Sequence, residues 1–148
     1  MRKKLLILIV IMVFIVTGCS GKNITKYNYN YKGENNLWTA EYKVNGTSTF
    51  IEQGNKIYYD SDSKSTLIVT YKKDLSDLSS IKHLVISYES SAGNGNLNLK
   101  FDHYPPNKKT YMIESGGTGR ALENTNEIIK VTINIDGKAQ TIKLKNVQ

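Results

Sequence analysis

The chain has 148 residues, 39% of them hydrophobic, with 20 Lys+Arg against 13 Asp+Glu. That length accommodates one domain and leaves no room for a second core or a large cofactor fold. Its one cysteine excludes an internal disulfide framework and any metal site built from several cysteines.

The N-terminus comes first in chain order, and it changes what the net charge of +7 means. Arg2-Lys3-Lys4 forms a short basic run, and residues 5–16 follow without a charged or polar side chain. Twelve residues in a helix span about 18 Å, well short of the ~30 Å hydrocarbon core of a bilayer. A basic n-region followed by an apolar h-region of this length is the pattern of a secretory signal, set aside before the fold is read. The segment ends at Val16-Thr17-Gly18-Cys19, which resembles the lipobox of bacterial lipoproteins. That resemblance implies cleavage of the Gly18–Cys19 bond and transfer of a diacylglyceryl group, with palmitate-type acyl chains, to the Cys19 thiol. Two chains matter physically, because one acyl chain alone binds a membrane only reversibly. The implied location is the extracytoplasmic face of the cell membrane, held by the lipid anchor. Without its first 18 residues the chain keeps 17 lysine and arginine side chains against the same 13 acids. No cationic run exceeds Lys72-Lys73 or Lys108-Lys109. Export and a dispersed charge both argue against nucleic acid as a partner.

Residues 20–36 are rich in Lys, Asn and Gly and read, with the lipidated Cys19, as a tether. Within it Tyr27, Tyr29 and Tyr31 alternate with Asn, so 27–36 is either spacer or an edge strand. The alternation also suits rings resting at a membrane interface. The folded domain is expected over 37–148. Trp38, Ala40, Tyr42 and Val44 share one face of a period-two pattern, with Thr39, Glu41 and Lys43 on the other, as in a half-buried strand. Asn45-Gly46 then reads as a type I′ hairpin turn into 47–53. Further strands are expected at 56–60, 66–72, 82–90, 96–102 and 110–114, each bounded by turn-forming residues. Asp74 is a possible N-cap for one or two helical turns over 74–80. At the C-terminus Ile129, Val131, Ile133 and Ile135 alternate with polar residues, and Asp136-Gly137 turns the chain into 138–145. A two-residue turn there sets Val131 opposite Ile142 and Ile129 opposite Leu144. About nine short strands separated by turns favour an all-β, antiparallel β-sandwich. An immunoglobulin-like topology is one option, although the Cys…Trp…Cys spacing is absent.

No constellation in the domain marks a reaction centre. Asp60-Ser-Asp62-Ser-Lys64 begins like a calcium loop, but Ser65 and Tyr71 stand where an EF-hand needs Gly and Glu, so a polar turn is expected. His83 and His103 are the only histidines, too few and too isolated for a typical zinc site. Asp102-His103 lacks a marked nucleophile. Gly93-Asn-Gly95 and the Gly116–Arg120 cluster lack the Lys-Ser/Thr ending of a phosphate loop and read as loops. Arg120, the one arginine after residue 18, is a candidate for an anionic contact.

Tyr31-Lys-Gly-Glu-Asn-Asn-Leu-Trp38, Glu41-Tyr-Lys-Val-Asn-Gly-Thr47, Asp74-Leu-Ser-Asp-Leu-Ser-Ser80 with Lys82-His-Leu84, and Glu127-Ile-Ile-Lys-Val-Thr-Ile133 resemble a group of small lipoproteins of Bacillus-like Gram-positive bacteria. The resemblance implies the location and a β-rich fold, and it assigns no catalytic, cofactor or metal residue. The expectation is a non-enzymatic module that binds in the cell envelope, with a wall polymer or an envelope protein as partner. The alternative is a carrier of a small molecule or metal, using loops 91–96 and 115–120.

Overall fold

A computed structural model describes residues 21–147, and among them strand dominates. Eight strands run in chain order: β1 (Lys22–Glu34), β2 (Trp38–Gln53), β3 (Lys56–Tyr71), β4 (His83–Ser90), β5 (Gly93–Lys100), β6 (Thr110–Thr118), β7 (Ile129–Ile135) and β8 (Lys138–Asn146). All pairings are antiparallel, in the spatial order β5-β4-β7-β8-β1-β2-β3-β6. The all-β antiparallel expectation holds. The two halves of the expected sandwich are one sheet folded over on itself, giving a barrel-like body. They join where Tyr31 and Lys32 of β1 pair with Asn146 and Lys145 of β8. Close approach at this seam depends on Gly33, where a side chain would run into the Lys143 carbonyl and the Leu144 and Ile142 side chains. The strand order is not the ABED/CFG pairing of immunoglobulin domains, so that qualifier is dropped.

Alternation along each strand builds the core. Trp38, Ala40, Tyr42 and Val44 of β2 are buried, facing Leu67, Val69 and Tyr71 of β3 and Leu84, Ile86 and Tyr88 of β4. Aromatic rings pack within and between the layers, Trp38 4.9 Å from its pairing partner Tyr71 and Tyr42 5.0 Å from Tyr88 of β4 between centroids. The C-terminal hairpin follows its expected register, Ile129 opposite Leu144 and Val131 opposite Ile142. Its turn residues Asp136 and Gly137 both have positive φ, 49° and 87°, as a type I′ turn requires. The Asp136 carboxylate also accepts from the backbone N–H groups of Lys82 and His83, tying this turn to the start of β4. The expected helix at 74–80 is a single 3-10 turn, Leu75–Leu78, and Asp74 precedes it without a side-chain cap. Leu78 and Ile81 enter the core there.

Three expectations are corrected. The tether favoured for 20–26 is strand from Lys22 onward, and of the two readings open for 27–36 the strand holds: β1 pairs along its whole length with β2, and Tyr27 and Tyr31 are buried. Composition suggested a tether, but the Tyr alternation meets a matching strand and buries its rings. Asn45-Gly46 is no turn; both residues sit mid-strand, paired to β1 and β3. Glycine is needed there because any side chain would strike the Tyr27 ring and the Asp62 carbonyl. The polar turn at 60–64 is also strand, with Ser61, Ser63 and Ser65 facing in and buried. Segments expected as pairs of short strands therefore fuse into two strands of 16 residues.

Candidate functional site

β2 and β3 are longer than the body they belong to. β3 pairs with β6 only from Asp62 onward, and β1 touches β8 only near Tyr31. Segments 22–26, 47–53 and 56–61 therefore continue as a three-stranded ribbon beyond the barrel, about 20 Å long at ~3.3 Å per residue. A two-residue turn closes it at Gly54-Asn55, with Gly54 at φ 61°. Period-two alternation continues in the ribbon, but beyond Ser48 and Ser61, which are buried at its base, both sides are largely exposed among the described residues. Phe50, Ile57 and Tyr59 prolong the core-facing side, the Phe50 and Tyr59 rings 5.0 Å apart. Ile24, Ile51 and Tyr58 occupy the other side. Ile57 is 72% exposed, and Ile24, Phe50, Tyr58 and Tyr59 are each about half exposed. The sequence signal was available: Ile57-Tyr58-Tyr59 is apolar at three successive positions, which a strand with one solvated face avoids. Lys22, Lys26 and Lys56 flank these groups, against Glu52 and Asp60.

The chain enters at the tip of this ribbon. The Glu52 N–H donates to the Gly21 carbonyl at 2.8 Å, and Lys22 pairs with Ile51. Cys19 and Gly18, the residues expected to carry lipid and cleavage, lie outside the described residues.

At the base of the ribbon the connection from β6 to β7 crosses the barrel end. The Ser61 hydroxyl donates to the Arg120 carbonyl and the Tyr31 hydroxyl to the Asn124 carbonyl, both at 2.9 Å. Between them Glu123 points inward, 6% exposed. Its carboxylate accepts from the Tyr42 hydroxyl at 2.7 Å and more weakly from Ser90 at 3.4 Å. Burial, then the nearby carboxylate, pushes the Tyr42 phenol well above its ordinary value. Burial raises Tyr31 too, with Glu127 and Glu123 adding to it. A carboxylate beside two phenols held neutral is a closed arrangement: it latches the crossing segment to both halves of the barrel. Sequence reading passed over Glu123 because it lies in a Gly/Asn-rich connection with no periodicity.

The remaining candidates are dispersed. Arg120 donates to the Ser115 hydroxyl at 2.6 Å and reaches 2.7 Å from where a side chain on Gly93 would stand. Segments 91–96 and 115–120 are thus neighbours, as the carrier alternative needs, but the guanidinium occupies the space between them. Most of both segments is strand rather than loop. His83 pairs with Asn98 at 2.7 Å, and Asp102-His103 lies on an exposed bend. Among the described residues no three His, Cys, Asp or Glu side chains come together to hold a metal ion. Nor is any helix long and apolar enough to cross a membrane. A shallow depression of about 400 Å³ on the outer barrel face is lined by Lys32, Glu34, Glu41 and Ile68 among others. Burial pushes the Glu41 carboxyl up, but hydrogen bonds from Asn30, Lys32 and Lys43 outweigh it and hold Glu41 below its usual range. Compared with protein-family models, with curated proteins and with solved structures, the chain matches none.

Proposed function

We propose that this protein is a lipid-anchored, extracytoplasmic β-domain that serves as a binding or interaction module of the cell envelope, of the kind found among small Gram-positive lipoproteins. The observation that carries the reading is the sequence of the N-terminus: basic residues, twelve apolar residues, then Val16-Thr17-Gly18-Cys19. Two acyl chains on one sulfur give stable attachment where one would not. Supporting it, the first strand begins three residues after Cys19, so the anchor would hold the domain close to the bilayer with almost no spacer. Its partner on this reading is a wall polymer or a neighbouring envelope protein, met by the exposed outer faces of the barrel.

Replacing Cys19 with Ala and following a labelled fatty acid through cell fractionation tests the anchor. The expected outcome is loss of label and release from the membrane fraction under carbonate washing. A variant that keeps its acyl label would overturn the assignment of Cys19. Cross-linking the wild-type protein in intact cells then identifies the partner.

A further inference from the structure

We propose that the ribbon tip is itself a membrane contact, with Ile24, Phe50, Ile57, Tyr58 and Tyr59 seated in the headgroup region of the bilayer that holds the anchor. The inference rests on the lipid-anchor reading and adds a second attachment surface to it. Lys22 lies three positions after Cys19, a reach of about 10 Å when fully extended. Lys22 pairs with Ile51, only a few positions from the turn at Gly54. Lipid at Cys19 therefore brings the tip, rather than the barrel, to the surface. The tip has the chemistry for that place: tyrosines combine an apolar ring with a polar end. Lys22, Lys26 and Lys56 can meet anionic headgroups while their stems cover apolar surface. Apolar groups on both sides of a narrow ribbon suit a medium that surrounds it. A second protein would cover one side and leave the other wet. With only Glu52 and Asp60 as opposing acids, the ribbon carries a small positive excess, so contact should depend more on apolar burial than on salt.

The single cysteine makes the test direct, because a lipidated Cys19 has no free thiol. Tyr58→Cys and Lys138→Cys each supply one labelling site, Lys138 lying in the β7–β8 hairpin at the far end of the barrel. Each full-length variant is labelled with an environment-sensitive fluorophore and studied in vesicles of phosphatidylglycerol and cardiolipin. The buried Trp38 reports that the fold is kept, and fatty-acid incorporation is measured on the same samples. The expected result is a blue-shifted emission at position 58, quenched several-fold more by headgroup-labelled lipid than at position 138. Equal exposure at both positions in acylated protein overturns the ribbon contact and leaves the anchor standing. Shielding at 58 that persists in detergent and is lost on dilution of the protein points to a second copy on the ribbon and also overturns it. If no acyl group is incorporated, the anchor reading fails. Tyr58→Cys and Lys138→Cys in a Cys19→Ala background then decide on added vesicles, where a shift at 58 alone upholds the contact and no shift refutes it.

Discussion

The two halves of β2 obey one sequence rule and have opposite fates. In the first half Trp38, Ala40, Tyr42 and Val44 point to one side and are almost wholly buried. In the second, Ser48 and Phe50 point to that same side, and Phe50 is 47% exposed. Backbone pairing is continuous from Trp38 to Gln53 on the β3 side, so hydrogen bonding cannot explain the difference. What changes is the opposing layer. Tyr88 of β4 packs on Tyr42 across from the first half, while past the buried Ser48 the ring beside Phe50 is Tyr59, its neighbour in the same sheet. Alternation marks the sides of a strand, and a second layer decides which side becomes core.

Substitutions at equivalent places in the two halves should therefore diverge, and stability in urea measures by how much. Trp38→Ala should cost about 3–5 kcal/mol, since it removes a large ring packed on Tyr71 and Tyr111,. Tyr42→Phe should cost about 1.5–3 kcal/mol because it removes a hydrogen bond to a buried carboxylate,. Gly46→Ala, at the boundary of the halves, should cost about 1–3 kcal/mol through collision with Tyr27 and the Asp62 carbonyl,. Phe50→Ser in the ribbon should change stability by no more than about 0.5 kcal/mol. A cost near that of Trp38→Ala would mean the ribbon is covered by something the fold does not show.

Alkali gives a further contrast. Tyr27, Tyr31, Tyr42, Tyr71 and Tyr111 of the body are all raised above the ordinary phenol value, chiefly by burial. Their stabilisation is complete below about pH 10, where the unfolded chain's phenols are still neutral. It should be lost as pH climbs from there toward the folded-state values, because only the unfolded chain ionises freely. Denaturation midpoints should fall above pH 10, less steeply in Tyr31→Phe and Tyr42→Phe. At the acid end Glu41, held low by its partners, contributes stability present above its unfolded pKa and lost as pH falls through its folded one,. The effect should be small and weakened by salt, since the group is partly exposed.

Legibility followed the range of the interactions involved. The β7–β8 hairpin was readable to the residue because a two-residue turn sets its register, and the apolar faces agree across it,. The pattern of Trp38, Ala40, Tyr42 and Val44 was readable for a similar reason. Asn45-Gly46 misled because the same dipeptide that favours a turn also suits a strand where a neighbouring ring lies on the backbone. Residues 22–26 misled through composition and 27–34 stayed open between spacer and strand: Lys and Asn suggested solvent on all sides, whereas the tyrosines between them needed only a partner strand. Glu123 left no local sign, since its value lies in reaching Tyr42 and Ser90, distant in the chain.

By itself the sequence determined that the domain is β and which side of most strands is apolar, and it carries the N-terminal order from which we propose lipid attachment at Cys19. Those properties are set within a few residues, by side-chain alternation and by the order of charge, apolar run and cysteine. Only the tertiary structure decided that β1 belongs to the sheet and that one sheet closes on itself. It also decided that three strands run past the barrel with apolar groups on both sides, next to Gly21, where the described residues begin. These follow from which strands meet and where the facing layer stops, quantities no local pattern encodes.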